Sequence, residues 1–238
     1  MSESTVYVKH YSDMDSAYLL NVNKNEVLRY AGFLGINEDT KDVLNDIYED
    51  ALSECLPKIS YKVCYFRTKI KWENESPVLP FECSSLDLAK CLKGSKEVVL
   101  FAATLGMDID RLIARNERVN MTKTLYMQAL GAERVEALCD TFCDEFKDML
   151  SKEGLEVTPR YSPGYGDMKL EHQKDFFRLL DCNRKIGIAL NESLLMSPSK
   201  SVTAIFGIKP CEHNEEDVDG NISKCIKCNN INCAYRKI

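Results

Sequence analysis

Apolar positions recur at helical intervals through the first third of the chain. In "KNEVLRYAGFLG", Val27, Leu28 and Ala31 share one face while Gly32 and Gly35 loosen its end, which predicts a short helix. "EDTKDVLNDIYEDALSECL" repeats the pattern through Val43, Leu44, Ile47, Ala51 and Leu52 and stops at Pro57. "ISYKVCYFRTKIKW" then turns aromatic and β-branched with partial alternation, and reads as one or two strands. "CSSLDLAKCLKG" predicts a short helix capped by Ser84 or Ser85 and closed by Gly94. "EVVLFAATLG" is too apolar for an exposed element and predicts a buried strand ending at Gly106, followed by a helix from about Asp108 to Arg115. From Thr122 to Leu150 the helical pattern continues without a break, long enough to carry the core. Gly131 and Ala132 in its middle permit another element to come close.

Beyond this helix, "LEVTPRYSPGYGD" is rich in turn residues, "KLEHQKDFFRLLD" predicts a helix, and "IGIALNESLLMSPSKSVTAIFGI" predicts two short apolar strands around Pro198. Strands and helices alternate without a βαβ rhythm, so the expected class is α+β with a mainly antiparallel sheet and flanking helices. Residues 1–120 are expected to form the N-terminal α/β part of one domain, and residues 121–210 the long helix and the loop-bearing region. A Cys-rich tail fills 211–238.

Length and composition fit a folded globular protein: 238 residues, 45% of them hydrophobic, can bury a sizeable core. A net charge of −6 argues against a nucleic-acid groove, which needs clustered Lys and Arg. No run approaches the roughly 18 apolar residues of a membrane span, and the N-terminus lacks a signal-peptide core, so a cytoplasmic protein is expected. Eleven cysteines occur without a framework pattern, and seven of them fall in apolar or amphipathic segments, which suits a reducing compartment.

The stretch "RYSPGYGD" is the strongest local signal. Pro163 fixes its own φ and pushes Ser162 toward extended backbone, while Gly164 and Gly166 accept positive φ. With Arg160 at its mouth, a planar cation able to grip a carboxylate, such a loop can hold a ligand that carries an acid group. A tight connection is the plain alternative. The order Arg160, Pro163, Gly164, Tyr165, Gly187, Glu192, Ser193, Met196, Pro198, Ser201, Val202 and Thr203 resembles the activation domain of cobalamin-dependent methionine synthase, specifically between about Thr158 and Ile208. "ALGAERVEALCDTF" is similar to the helix that precedes the motif in that family, and residues 1–120 match in general layout alone.

The resemblance implies an S-adenosylmethionine-binding protein that supports reductive methylation of cob(II)alamin. One electron, from a donor such as flavodoxin or ferredoxin, and the methyl group of S-adenosylmethionine return the corrinoid to service. By the same resemblance Arg160 takes the methionyl carboxylate, the backbone of Ser162, Pro163 and Gly164 lines the ligand, and Tyr165 walls it. Glu136 lies near the sulfonium or an amino group, and Phe206 and Gly207 meet the adenine. The family's acidic contact from its N-terminal region has no matched position here. None of the three histidines, His10, His172 and His213, stands in the Asp-x-His-x-x-Gly setting that ligates cobalamin, so the corrinoid is expected on a separate methionine synthase core or related corrinoid protein. His172, between charged residues, reads as a solvated surface residue. An S-adenosylmethionine-sensing or docking module without a catalytic role remains open. A free-standing methyltransferase lacks support, because no Gly-x-Gly-x-x-Gly turn is present.

After Pro210 the chain becomes polar and holds Cys211, Cys225, Cys228 and Cys233. Four thiolates on one ion would give so polar a segment a reason to fold, with zinc as the leading candidate, an iron–sulfur cluster as the rival and free thiols as the plain alternative. His213 can replace one cysteine.

Overall fold

The computed structural model describes residues 5–11, 21–33 and 38–211, with the side chains of residues 38–42 left aside. Five antiparallel strands form the main sheet in the order β1-β2-β5-β9-β6. They are β1 (Tyr7–Tyr11), β2 (Tyr61–Lys69), β5 (Glu97–Thr104), β6 (Leu155–Val157) and β9 (Ser201–Pro210). Two small hairpins stand apart from it, β3 (Lys71–Glu73) with β4 (Ser76–Val78), and β7 (Ala189–Leu190) with β8 (Met196–Ser197).

Helices cover both faces of the sheet, which is why β5 is apolar from Val98 to Ala103 rather than alternating. Val99, Phe101 and Ala103 face one core, beneath α1 (Lys24–Tyr30), α2 (Glu38–Cys55), α4 (Met107–Asn116) and α5 (Met121–Ser151). Val98, Leu100 and Ala102 face the other, with α3 (Leu86–Cys91), α6 (Gln173–Leu180) and α7 (Cys182–Ile186). The first core is strongly aromatic: Phe101 and Phe142 lie 4.9 Å apart by ring centroids, and Phe146 and Phe206 5.5 Å. The α+β expectation holds. Val43, however, is exposed rather than part of the α2 stripe, and the strands expected around Pro198 become the two-residue β8 and the ten-residue β9.

The long helix α5 begins at Asn120, whose side chain accepts from the Lys123 N–H at 3.0 Å, an N-cap that satisfies one of the orphan donors. Of the two expected caps for α3, Ser85 is the one used, accepting from the Leu88 N–H at 2.9 Å. Gly131 admits the aliphatic stem of Lys200, which crosses α5 where a Cβ would stand 2.8 Å from it.

The edge of β9 positions the site. Strand β6 covers only Ile208 to Pro210, and the chain touches β9 once more at the Tyr161–Ile205 bridge. Between these contacts the Thr158 hydroxyl accepts from the Gly207 N–H at 2.9 Å. Gly207 itself has no room to spare: a Cβ there would collide with Ser95 Oγ and stand 2.8 Å from Ser95 Cβ. Gly207→Ala is therefore expected to destabilise the fold by about 1–3 kcal/mol, as overpacking does in a closed core, read as a lowered midpoint in urea unfolding.

Candidate functional site

Past the Tyr161–Ile205 bridge, the first residues of β9 pair with β5 on one side but have no neighbouring strand among the described residues on the other, and the 160–167 loop bends over that edge. A cleft of about 360 Å³ opens there, bounded by Glu136 of α5, Arg160 to Pro163 and Tyr165 of the loop, Gln173 of α6, Met196 and Ser201 to Thr203.

The loop's shape is set by its own hydrogen bonds. Gly164 takes φ 93° and Gly166 φ 51°, values that favour glycine. The Gly164 N–H donates to the Met168 carbonyl at 2.9 Å and the Tyr165 N–H to the Ser162 carbonyl at 3.2 Å. Those two amides are spent inside the loop and do not face the cleft as free donors. At Gly166 a Cβ would collide with the Tyr161 hydroxyl oxygen and stand 2.7 Å from Asp87 Oδ2, so the glycine is needed for close approach as well as for φ.

Asp167 fastens the end of the loop to the start of α3. It accepts from the Ser85 hydroxyl, from the Leu86 N–H at 2.8 Å and from the Asp87 N–H at 3.3 Å. The Ser85 hydrogen bond, followed by those backbone N–H groups, holds the carboxyl below its usual range. Because the folded pKa is depressed, the anchor's contribution is present above the ordinary Asp value of about 3.9 and is lost as pH falls through the lowered folded value. NMR should therefore show Asp167 titrating below a normal aspartate. The Leu86 amide should follow the same curve, and Asp167→Asn should flatten it.

Arg160 is the electrostatic centre. Its Nη1 donates to Asp140 and its Nη2 to Glu136, and its side chain is 22% exposed. Burial works against the charge, but the Asp140 and Glu136 carboxylates outweigh it, so the guanidinium is held more firmly protonated than usual. The thiols beside it are not nucleophiles. Burial pushes Cys143 up to about 12 and Cys139 well above its ordinary value.

Two further cleft residues carry no role in the sequence reading. Gln173 and Thr203 are 7% and 2% exposed, and Gln173 Oε1 and Thr203 Oγ1 have no hydrogen-bond partner among the described residues. Ser95, Tyr126 and Thr141 also hold an unpaired buried oxygen, but Gln173 and Thr203 are the ones that line the cleft, where a ligand can reach them. Their signal in the sequence was slight: Gln173 opens a helix, and Thr203 closes the family motif in an apolar strand without a ligand role attached to it. A wider hollow of about 820 Å³ lies beyond Asp167, over Pro77 to Ser85, Lys169 and His172, and it contains no such orphaned atom.

Of the residues expected at the ligand, Glu136, Arg160, Ser162, Pro163 and Tyr165 meet at the cleft, with Tyr165 exposed at its rim. Gly164 shapes the loop without lining the cleft. Phe206 is buried among Phe101, Phe142 and Phe146, and Gly207 lies against Ser95 and Leu92, so neither borders the cleft. His172 is half-buried against the Phe81 ring at 5.6 Å, with Nδ1 3.2 Å from Asp175, rather than fully solvated. Near α1, a smaller hollow of about 260 Å³ joins Glu26 and Tyr30 to Glu133, Glu136 and Asp140, so α1 does bring a carboxylate close to the cleft.

Cys225, Cys228, Cys233 and His213 lie outside the described residues. Cys211 follows β9, where its N–H donates to the Gly154 carbonyl at 3.0 Å. Among the described residues no group of three or more His, Cys, Asp or Glu is arranged to hold a metal, and no helix is long and apolar enough to cross a membrane.

Residues 17–214 match the family model described as vitamin B12 dependent methionine synthase, activation domain. Among solved structures, the crystal structure of the MetH reactivation domain bound to AdoHcy is similar with a TM-score of 0.65 at 14% identity, covering 89% of this chain and 80% of that one. At that identity the likeness shows the fold. No curated protein matches the chain by sequence.

Proposed function

Because the chain belongs to the family of the vitamin B12 dependent methionine synthase activation domain, we propose that it binds S-adenosylmethionine in the Arg160 cleft and supports reductive methylation of a corrinoid held by a separate protein. The observation that carries this reading is Arg160 flanked by Glu136 and Asp140 at one end of the cleft. A guanidinium has five N–H donors, so two carboxylates leave some of them for a third. One cation between two anions complements the head of a free α-amino acid: its carboxylate seeks Arg160 and its ammonium seeks Glu136 or Asp140. The AdoHcy bound to the similar MetH reactivation domain has such a head.

S-adenosylmethionine, when bound, supplies a methyl group on a sulfonium that leaves as a neutral thioether. The chain therefore needs to position the donor rather than move a proton. Arg160 and Glu136 fix the amino-acid end, Pro163 and Met196 offer apolar walls, and Tyr165 stands at the rim where a partner would approach. The neutral thiols of Cys139 and Cys143 leave no competing nucleophile beside Arg160.

The experiment mixes the purified chain with a cob(II)alamin-bearing methionine synthase core, S-adenosylmethionine and a reductant such as reduced flavodoxin, and follows methylcobalamin by absorbance. Methylcobalamin that forms only when the chain is present supports the reading. The same rate without the chain contradicts it. For the tail we carry the proposal of one structural zinc ion on Cys211, Cys225, Cys228 and Cys233. Elemental analysis of anaerobically purified protein should find zinc near one equivalent, and iron with acid-labile sulfide would replace zinc with a redox centre.

A further inference from the structure

The two orphaned polar atoms lie on the opposite side of the β9 edge from Arg160. Along β9, Val202, Ala204, Phe206 and Ile208 belong to the core under α5, and Ile205 belongs to the core that contains α6. Alternation along the strand therefore turns Thr203 toward α6, where Gln173 opens the helix. The cleft joins both sides, since Val202 and Glu136 line it together with Thr203 and Gln173. Antiparallel geometry adds a backbone edge. Ile205 exchanges both of its hydrogen bonds with Tyr161, at 2.8 Å each, so its N–H and C=O face away from β5. Those of Thr203, two residues earlier, face the same way, into the cleft.

We infer, building on the S-adenosylmethionine reading, that Gln173 and Thr203 are specificity residues that read the adenine edge of the ligand: Gln173 Oε1 accepts from the exocyclic 6-amine and the Thr203 hydroxyl donates to the adjacent ring nitrogen. The choice follows from complementarity. A carbonyl that only accepts, beside a hydroxyl with one proton to give, matches an amine next to an unprotonated ring nitrogen. The ribose diol presents two hydroxyls, each seeking both a donor and an acceptor, and an almost closed wall has little room for water to complete that set. Distance along the ligand agrees, because an amino-acid head at Arg160 leaves the nucleoside as the end that passes round the edge of β9. Met196, on the same side, gives a polarizable surface for the ring.

Gln173 and Thr203 carry a signature that a structural role does not. Gln173 Oε1 and Thr203 Oγ1 have no hydrogen-bond partner among the described residues, so the fold has no internal bond to lose at either atom. Gln173→Leu and Thr203→Val should therefore leave the thermal midpoint unchanged or raise it while weakening the ligand. Titration calorimetry with S-adenosylhomocysteine, S-inosylhomocysteine and the 2′-deoxy analogue of S-adenosylhomocysteine provides the test. The wild-type chain should bind the inosyl compound about tenfold or more weakly than the adenosyl one, because its 6-oxo group faces the Gln173 carbonyl, and should bind the 2′-deoxy compound nearly as well. Gln173→Leu and Thr203→Val should each lose about five- to tenfold toward S-adenosylhomocysteine, and Gln173→Leu should no longer distinguish adenosyl from inosyl. Wild-type affinity in both variants would overturn the assignment, as would a fall in the thermal midpoint that accompanies the loss, or a 2′-deoxy compound that binds worse than the inosyl one. A folded wild-type chain that binds none of the three compounds would overturn the parent reading itself.

Discussion

Replacing Arg160 by Ala is expected to weaken S-adenosylhomocysteine binding about ten- to a hundredfold, the equivalent of roughly 1.5–3 kcal/mol for a charge-assisted pair. The effect is large because Arg160 does two things at once. It offers its remaining N–H groups to the ligand's carboxylate, and it offsets part of the charge of Glu136 and Asp140, which repel that carboxylate. Arg160→Lys should recover only part of the affinity, since an ammonium keeps the charge but loses the planar fork that reaches two carboxylates together. Calorimetric titration of the three proteins checks the order wild type, Lys, Ala. Unchanged affinity in the Ala variant would remove Arg160 from the site.

The largest stability effect is expected two residues before Glu136 on the same helix, α5. Arg134 is completely buried and holds Glu133 through Nε at 2.5 Å and Nη2 at 2.6 Å. Its Nη2 also donates to the Asn21 carbonyl at 3.0 Å, and Glu133 accepts from the Asn23 N–H at 3.0 Å. The pair thus ties the segment before α1 to the long helix. Burial disfavours the Arg134 charge, and the hydrogen bond and field of Glu133 outweigh it. Arg134→Ala strands the Glu133 carboxylate out of water, so it should cost about 3–5 kcal/mol, whereas replacing both residues together by Gln and Met should cost less than the single change. Chemical unfolding of the single and double variants measures the difference. A single variant within ~1 kcal/mol of wild type would mean that water already reaches the pair.

The core was legible wherever one periodicity dominated. Helices α2 and α5 and the buried strand β5 follow directly from their apolar spacing, and Pro163, Gly164 and Arg160 marked the loop because each residue type has a backbone or charge property that a plain turn does not require. The short strands were not legible. Strands β1 and β6, of five and three residues, take their conformation from pairing with β2 and β9 rather than from a pattern of their own. Gln173 and Thr203 escaped for a related reason, since what distinguishes them is the absence of a partner in three dimensions. Phe206 shows the limit of position along a motif. It lies close in sequence to the cleft residues Ser201 to Thr203 and shares a face with Val202, but its ring is packed among Phe101, Phe142 and Phe146 under α5.

The most direct measurement is an NMR titration of isotopically labelled protein with S-adenosylhomocysteine. The expected result is saturable shifts confined to the Arg160 guanidinium, the Gln173 side-chain amide and the backbone amides of Ser162 and Ser201 to Thr203, with stoichiometry near one. A folded chain whose resonances stay in place, or whose shifts gather instead around Pro77 to Ser85 in the wider hollow beyond Asp167, would contradict it.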